Sequence, residues 1–166
     1  TVITPAAADY IREKGLRLIT GQKHSSVTMT VNKTETTGEK PEDMTHLDSR
    51  TLVSKKHPGI AFRGKLDTFM AETLVVQVTG TREGYSGVSE DLGEILSLCR
   101  RIMAAEVRGT DLGELKLLGM DSGKLRYVTH HLKQEMGIDH PVPSADQGMM
   151  CVWLNRLRTY ARELEL

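Results

Sequence analysis

Through most of the second half of the chain, apolar residues recur at a helical step, most clearly at the end. Met150, Trp153, Leu157, Tyr160 and Leu164 are spaced three and four residues apart. That step gathers them into one stripe of an amphipathic helix. Arg158, Arg162 and Glu165 run beside the stripe at four-three spacing, so they point the same way. Two guanidiniums on one face can grip an anion such as a polyphosphate. The alternative is a solvated face of ion pairs that contribute little.

The same reading places the other elements. Thr4-Pro5 opens a short helix that Gly15 stops, and Leu16 to Ile19 reads as an extended piece. Residues 21–43 are polar, with alternating Val27, Met29 and Val31 as the sign of a weak strand or hairpin arm in an otherwise mobile linker. Thr45 to Lys55 reads as a short helix, and His57-Pro58-Gly59 as a break. A long helix follows from Ile60 to about Thr79, with Ile60, Leu66, Met70 and Leu74 as its apolar face. It carries Arg63 and Asp67 one turn apart. Ser89 is the expected cap of a helix reaching about Arg108, with a core stripe of Leu92, Ile95, Leu96, Cys99, Ile102 and Met103. Gly109 to Gly123 reads as a loop with short turns, and Leu125 to Met136 as a helix stopped by Gly137. His140-Pro141-Val142-Pro143-Ser144 is extended, and Ala145 or Asp146 starts the last helix. The expected architecture is all-α, a bundle of four or five helices with a polar N-terminal arm. Its divisions are an N-terminal helical element at 1–20, the linker or hairpin at 21–43 and the bundle at 44–166.

Composition narrows the function. Lys and Arg together number 22, as do Asp and Glu, so the net charge is zero. That argues against a general nucleic-acid or anionic-membrane binder. Aromatics at 4% argue against a base-stacking surface. Cys99 and Cys151 sit in apolar helix faces without metal-ligand or disulfide spacing, which fits buried thiols in a reducing cytoplasm. No signal peptide and no bilayer-length apolar run is present. Thr1 is not a natural start, so residues are expected before it. Phosphate-binding loops, dinucleotide fingerprints, zinc spacings and nucleophile triads are all missing from the sequence. His130 and His131 are neighbours, roughly 100° apart on a helix, and so poor joint ligands.

Several stretches, taken in order, resemble one family. They are Lys40-Pro41-Glu42-Asp43-Met44-Thr45-His46-Leu47, His57-Pro58-Gly59-Ile60-Ala61-Phe62-Arg63-Gly64-Lys65-Leu66-Asp67, Arg101 to Glu106 with Leu112-Gly113-Glu114, His140-Pro141-Val142-Pro143, and Leu154 to Thr159 with Arg162 and Glu165. The set is similar to the corrinoid adenosyltransferases of ethanolamine utilisation, the EutT type, and covers roughly 40–166. Thr4-Pro5-Ala6 to Leu18 is similar to a segment near their N-terminus. The related propanediol-utilisation adenosyltransferases carry a G-x-x-D-E-L-N turn and an A-R-x-x-x-R-R-A-E helix. Gly64 to Met70 resembles the first, with Asp67 at the acid, and Arg158, Arg162 and Glu165 match the second.

The resemblance implies a five-helix bundle, usually a trimer, holding ATP near subunit boundaries. It implies an Asp67–Arg158 pair linking two helices, Arg162 on the polyphosphate, and Glu165 orienting the arginines or a magnesium-bound phosphate. Arg63 is a further candidate for phosphate, weighed evenly against a structural role. The implied substrates are ATP, with magnesium, and cobalamin; no corrinoid-binding residue is assigned. The implied protein is a cytoplasmic homo-oligomer, with a bacterial microcompartment as a candidate setting. A non-catalytic corrinoid-binding or delivery protein, or a microcompartment interaction module, is the alternative.

The match has departures. Thr68 and Met70 replace Glu and Asn of the first motif, and Glu163 replaces the second consecutive Arg of the other. Some members carry a histidine and a cysteine cluster in the linker that bind a metal. Here His24 is followed by no cysteine up to Asp43, so no iron or zinc site is expected. Relatives are expected to continue into a further helix beyond Leu166.

Overall fold

The structure is a computed structural model that describes residues 18–19, 28–30 and 40–165. The expected helix at 4–15, most of the linker and His24 lie outside the described residues. The chain divides into two compact units, Thr1–Gly64 and Lys65–Leu166. The division falls inside a helix rather than at the end of the polar linker.

The first unit holds a four-stranded antiparallel sheet. Its strands are β1 (Leu18–Ile19), β2 (Thr28–Thr30), β3 (Met44–His46) and β4 (Thr51–Ser54), in the order β1-β2-β4-β3. Thr28–Thr30 fulfils the expected strand in the arm. Thr45–Lys55, expected to be a helix, is instead the β3–β4 hairpin. Asp48 explains the difference: its carboxylate accepts the backbone N–H of Arg50 at 2.7 Å and of Thr51 at 2.8 Å. An aspartate that binds the backbone just beyond itself makes a turn, not a helix. Met44, Leu52 and Val53 are buried.

Helix α1 spans Pro58–Glu83. The expected break at His57-Pro58-Gly59 is its start. Proline at the first helical position loses no hydrogen bond, and His57 Nδ1 accepts the Gly59 N–H at 3.1 Å. The buried face is Leu66, Phe69, Thr73, Val76 and Gly80. Of the expected face, Leu66 is buried but Leu74 is 43% exposed. A count of large apolar residues overlooks Thr73 and Gly80, which extend the stripe. Thr73 is tolerated inside because its hydroxyl donates to the Phe69 carbonyl at 2.7 Å.

The second unit is a helical bundle. Gly84, with φ of 85°, turns the chain into α2 (Ser86–Arg108). Ser89 does not cap α2. It is buried within the helix, its hydroxyl within 3.2 Å of the Gln77 and Tyr85 carbonyls. A Cβ on Gly80 would lie 2.8 Å from that Ser89 hydroxyl, so this crossing of α1 and α2 needs glycine. The Leu92, Leu96 and Cys99 stripe is buried as expected. The glycine-rich loop contains a short hairpin, β5 (Lys116–Leu117) and β6 (Met120–Asp121).

The expected helix 125–136 is divided into α3 (Ser122–His130) and α4 (Leu132–Glu135). His131 leaves helical geometry, and its ring stacks on Tyr127 at 4.3 Å. After the extended 140–144 stretch, a single 3-10 turn (Ala145–Gln147) leads into α5 (Gly148–Glu163). Ser144 N–H donates to the Gln147 side chain at 3.0 Å, closing a capping box.

Candidate anion site on the last helix

Helix α5 runs antiparallel to α1. Lys65 Nζ donates to the Glu163 carbonyl at 2.9 Å. Glu72 pairs with Arg156 at 2.9 Å. A Cβ at Gly80 would lie 3.5 Å from the Met150 methyl. Going up α1 goes down α5, and the three contacts keep one register. The anticipated stripe is the inner side of α5, with Met150 and Leu157 buried and Trp153, Tyr160 and Leu164 half-buried.

The arginines of α5 divide by face. Arg156 lies on the flank toward α1, against the Trp153 and Tyr160 rings at 5.3 and 5.6 Å. Its guanidinium is held firmly charged, first by the Tyr160 hydroxyl at 3.3 Å and then by Glu72. Arg158 follows two residues later, roughly 160° round the helix at about 100° per residue. Arg158 and Arg162 lie roughly 40° apart by the same spacing, and Glu165 follows just beyond the helix end at Glu163. All three are exposed.

Arg158 Nε donates to Asn155 Oδ1 at 3.0 Å, a neutral partner that leaves its charge uncompensated. Neither Arg158 nor Arg162 forms an ion pair with any described residue. This flank therefore offers fixed positive charge and free N–H donors to an incoming anion.

Asp67 lies on α1 in the same unit, exposed and without an ion pair among the described residues. It is five residues before Glu72, roughly 140° round the helix. Since Glu72 faces α5, Asp67 faces elsewhere, and the expected Asp67–Arg158 pair is not made within the chain. Arg63 belongs to the first unit. Its guanidinium donates to the Leu47 carbonyl at 2.6 Å and reaches the His46 carbonyl at 3.5 Å, holding the end of β3.

A shallow cavity of about 370 Å³ is lined by residues of 129–140, including His130, His131 and His140. It includes none of the arginine-face residues. Among the described residues, no group of three or more His, Cys, Asp or Glu is arranged to hold a metal ion. Burial pushes the Cys99 thiol up, which marks it as an inert core group.

Sequence reasoning overlooked Lys65, Glu72 and Arg156. A signal for Arg156 was present: an arginine three residues after a tryptophan and four before a tyrosine stacks on both in a helix. Nothing local marked Glu72 as its partner, 84 residues away.

Comparison with known proteins agrees with the ordered motifs. The likeness is to corrinoid adenosyltransferases of the EutT type. The chain is 32% identical over 127 residues to Corrinoid adenosyltransferase EutT of Escherichia coli K12, and equally so to that of E. coli O6:H1. The EutT of Salmonella typhimurium matches at the same identity. Each match covers 76% of this chain but 46% of the relative, so the chain spans about half the length of the relatives it matches. No protein-family model and no solved structure matches it.

Proposed function

We propose that this chain belongs to the EutT-type corrinoid adenosyltransferases and contributes to transfer of the 5′-deoxyadenosyl group from ATP to cob(I)alamin. The observation that carries the reading is the open flank of α5, where Arg158 and Arg162 lack acidic partners among the described residues. The likeness to EutT supplies the substrate class.

In this reaction the Co(I) electron pair attacks the ribose 5′ carbon. A Co–C bond forms, the C–O bond breaks, and triphosphate leaves with the electron pair. The protein's task is to hold the reacting atoms in line and stabilise charge on the departing triphosphate. Arg162 binds the polyphosphate, and Arg158 supports it from one turn earlier. Glu165 orients the arginines or a magnesium-bound phosphate. Magnesium fits as an ion carried mainly by the phosphates, because it keeps several waters and needs only one or two carboxylates.

Asp67 and Arg158 occupy flanks that do not meet in one chain, so we assign their pair to two copies in a homo-oligomer, a trimer by resemblance to the propanediol-type enzymes. Arg63, committed to hairpin carbonyls, takes the structural one of its two weighed roles. We place the protein in the cytoplasm, with a microcompartment of ethanolamine utilisation as its setting. No helix among the described residues is long and apolar enough to cross a membrane.

The test supplies reduced cobalamin, ATP and magnesium to folded protein and follows the cobalt spectrum. Formation of a Co–C bond is expected. ATP-independent cobalamin binding without that bond would assign the chain to corrinoid delivery instead.

A further inference from the structure

We infer that Lys65 and Glu72 of α1 and Arg156 of α5 are positioning residues that set the slide of α5 along α1, and with it the place of Arg158 and Arg162. This rests on the functional reading above for its consequence, but not for its geometry.

The spacing of the apolar stripes does not by itself specify the slide. On α1 the buried positions are 66, 69, 73, 76 and 80, and on α5 the stripe is 150, 153, 157, 160 and 164. Both follow a three-four alternation that repeats every seven residues. Moving one helix by seven residues lays stripe on stripe again, as in any heptad seam. Such a slip would carry the arginine face roughly 10 Å along the axis, at about 1.5 Å per residue.

The polar contacts do not repeat. Arg156 faces Glu72 at 2.9 Å in the observed register. A slip of seven residues one way would place it opposite Lys65, a like charge. The other way would place it opposite Thr79, which offers no charge. Lys65 adds a second latch at the far end, on the Glu163 carbonyl at 2.9 Å. Polar groups beside an apolar seam commonly select register in this manner.

Arg156 suits the task. Its guanidinium rests against Trp153 and Tyr160 and also meets Glu72 and the Tyr160 hydroxyl. A planar fork can satisfy those contacts together, whereas a lysine ammonium cannot.

The test reads position directly. Spin labels go on cysteines introduced at the exposed residues Ala71 and Ala161, in full-length protein carrying Cys151→Ser. With the Glu72–Arg156 rung intact, the pair is expected to give one narrow distance. With Glu72→Gln and Arg156→Lys together, the distribution is expected to broaden or gain a second population. An unchanged distribution would overturn the inference.

Kinetics give the second readout. Each single variant is expected to raise KM for ATP about tenfold or more while leaving KM for cob(I)alamin within about twofold, since misplacing a binding group by about 1 Å is costly. The double variant should be no worse than the poorer single one. Lower melting midpoints with unchanged KM for ATP would reduce the rung to a structural role. Wild-type protein that forms no Co–C bond would remove the functional reading, and the spin-label distances would still judge the register.

Discussion

The two flanks of α5 use the same residue type in opposite ways. On the flank toward α1, Arg156 is pinned by a carboxylate, two aromatic rings and a phenol. On the other, Arg158 leans only on Asn155, and Arg162 has no ion pair with a described residue. A cation whose charge is already matched has little left for a ligand. One held in place by a neutral partner retains its full attraction for an anion. The difference separates arginines that build the bundle from arginines that it presents.

The largest expected effect lies on the open flank. Arg162→Ala should cut ATP-dependent transfer by about 10²–10³-fold, the usual cost of removing one preorganised group that stabilises transition-state charge. Its melting midpoint should stay close to wild type, because the side chain is exposed. A large fall in melting with little change in transfer would erase the distinction between the flanks.

The packed side should show the reverse. Gly80→Ala places a Cβ 2.8 Å from the Ser89 hydroxyl. Ser89 is buried and tied to two carbonyls, so it cannot swing away freely. Loss of about 1–3 kcal/mol is expected in chemical denaturation, as for overpacking generally. A neutral result would mean that α1 and α2 separate easily, and that the inner side is less rigid than its contacts imply.

The smallest effect is in the turn that leads into α5. Ser144 donates its hydroxyl to the Asp146 carboxylate, and that bond is the first cause of a pKa below the ordinary aspartate value of 3.8. A depressed carboxylate contributes stability that is present above the unfolded pKa and lost as pH falls through the folded one. The contribution should therefore be complete at neutral pH and disappear only below pH 3.8. Asp146→Asn should flatten that part of an acid melt while leaving both arginine flanks intact. A wild-type acid limb identical to the variant's would show that the leader turn does not help anchor the helix.

Legibility in the sequence followed the range of the interactions. The α5 stripe and the shared flank of Arg158 and Arg162 were readable because one helix's periodicity sets them, whereas Glu165 lies past the helix end at Glu163. The Leu92, Leu96 and Cys99 core was readable for the same reason. The α1 face was read partly wrong because Thr73 and Gly80 are buried for reasons a hydrophobic count does not contain: a local hydroxyl bond and a close crossing. The β3–β4 hairpin was missed because short apolar segments fit either period, and the Asp48 turn decides between them.

The sequence by itself determined an all-α bundle ending in a helix with an apolar stripe and an arginine face, since side-chain spacing along one helix needs no partner. It also carried the ordered likeness to corrinoid adenosyltransferases. Only the tertiary structure decided which arginines remain open. That choice depends on α1 bringing Glu72 to Arg156 while turning Asp67 roughly 140° away from it. Pairing between helices distant in sequence is fixed by rotation and register, and periodicity within either helix leaves both undetermined.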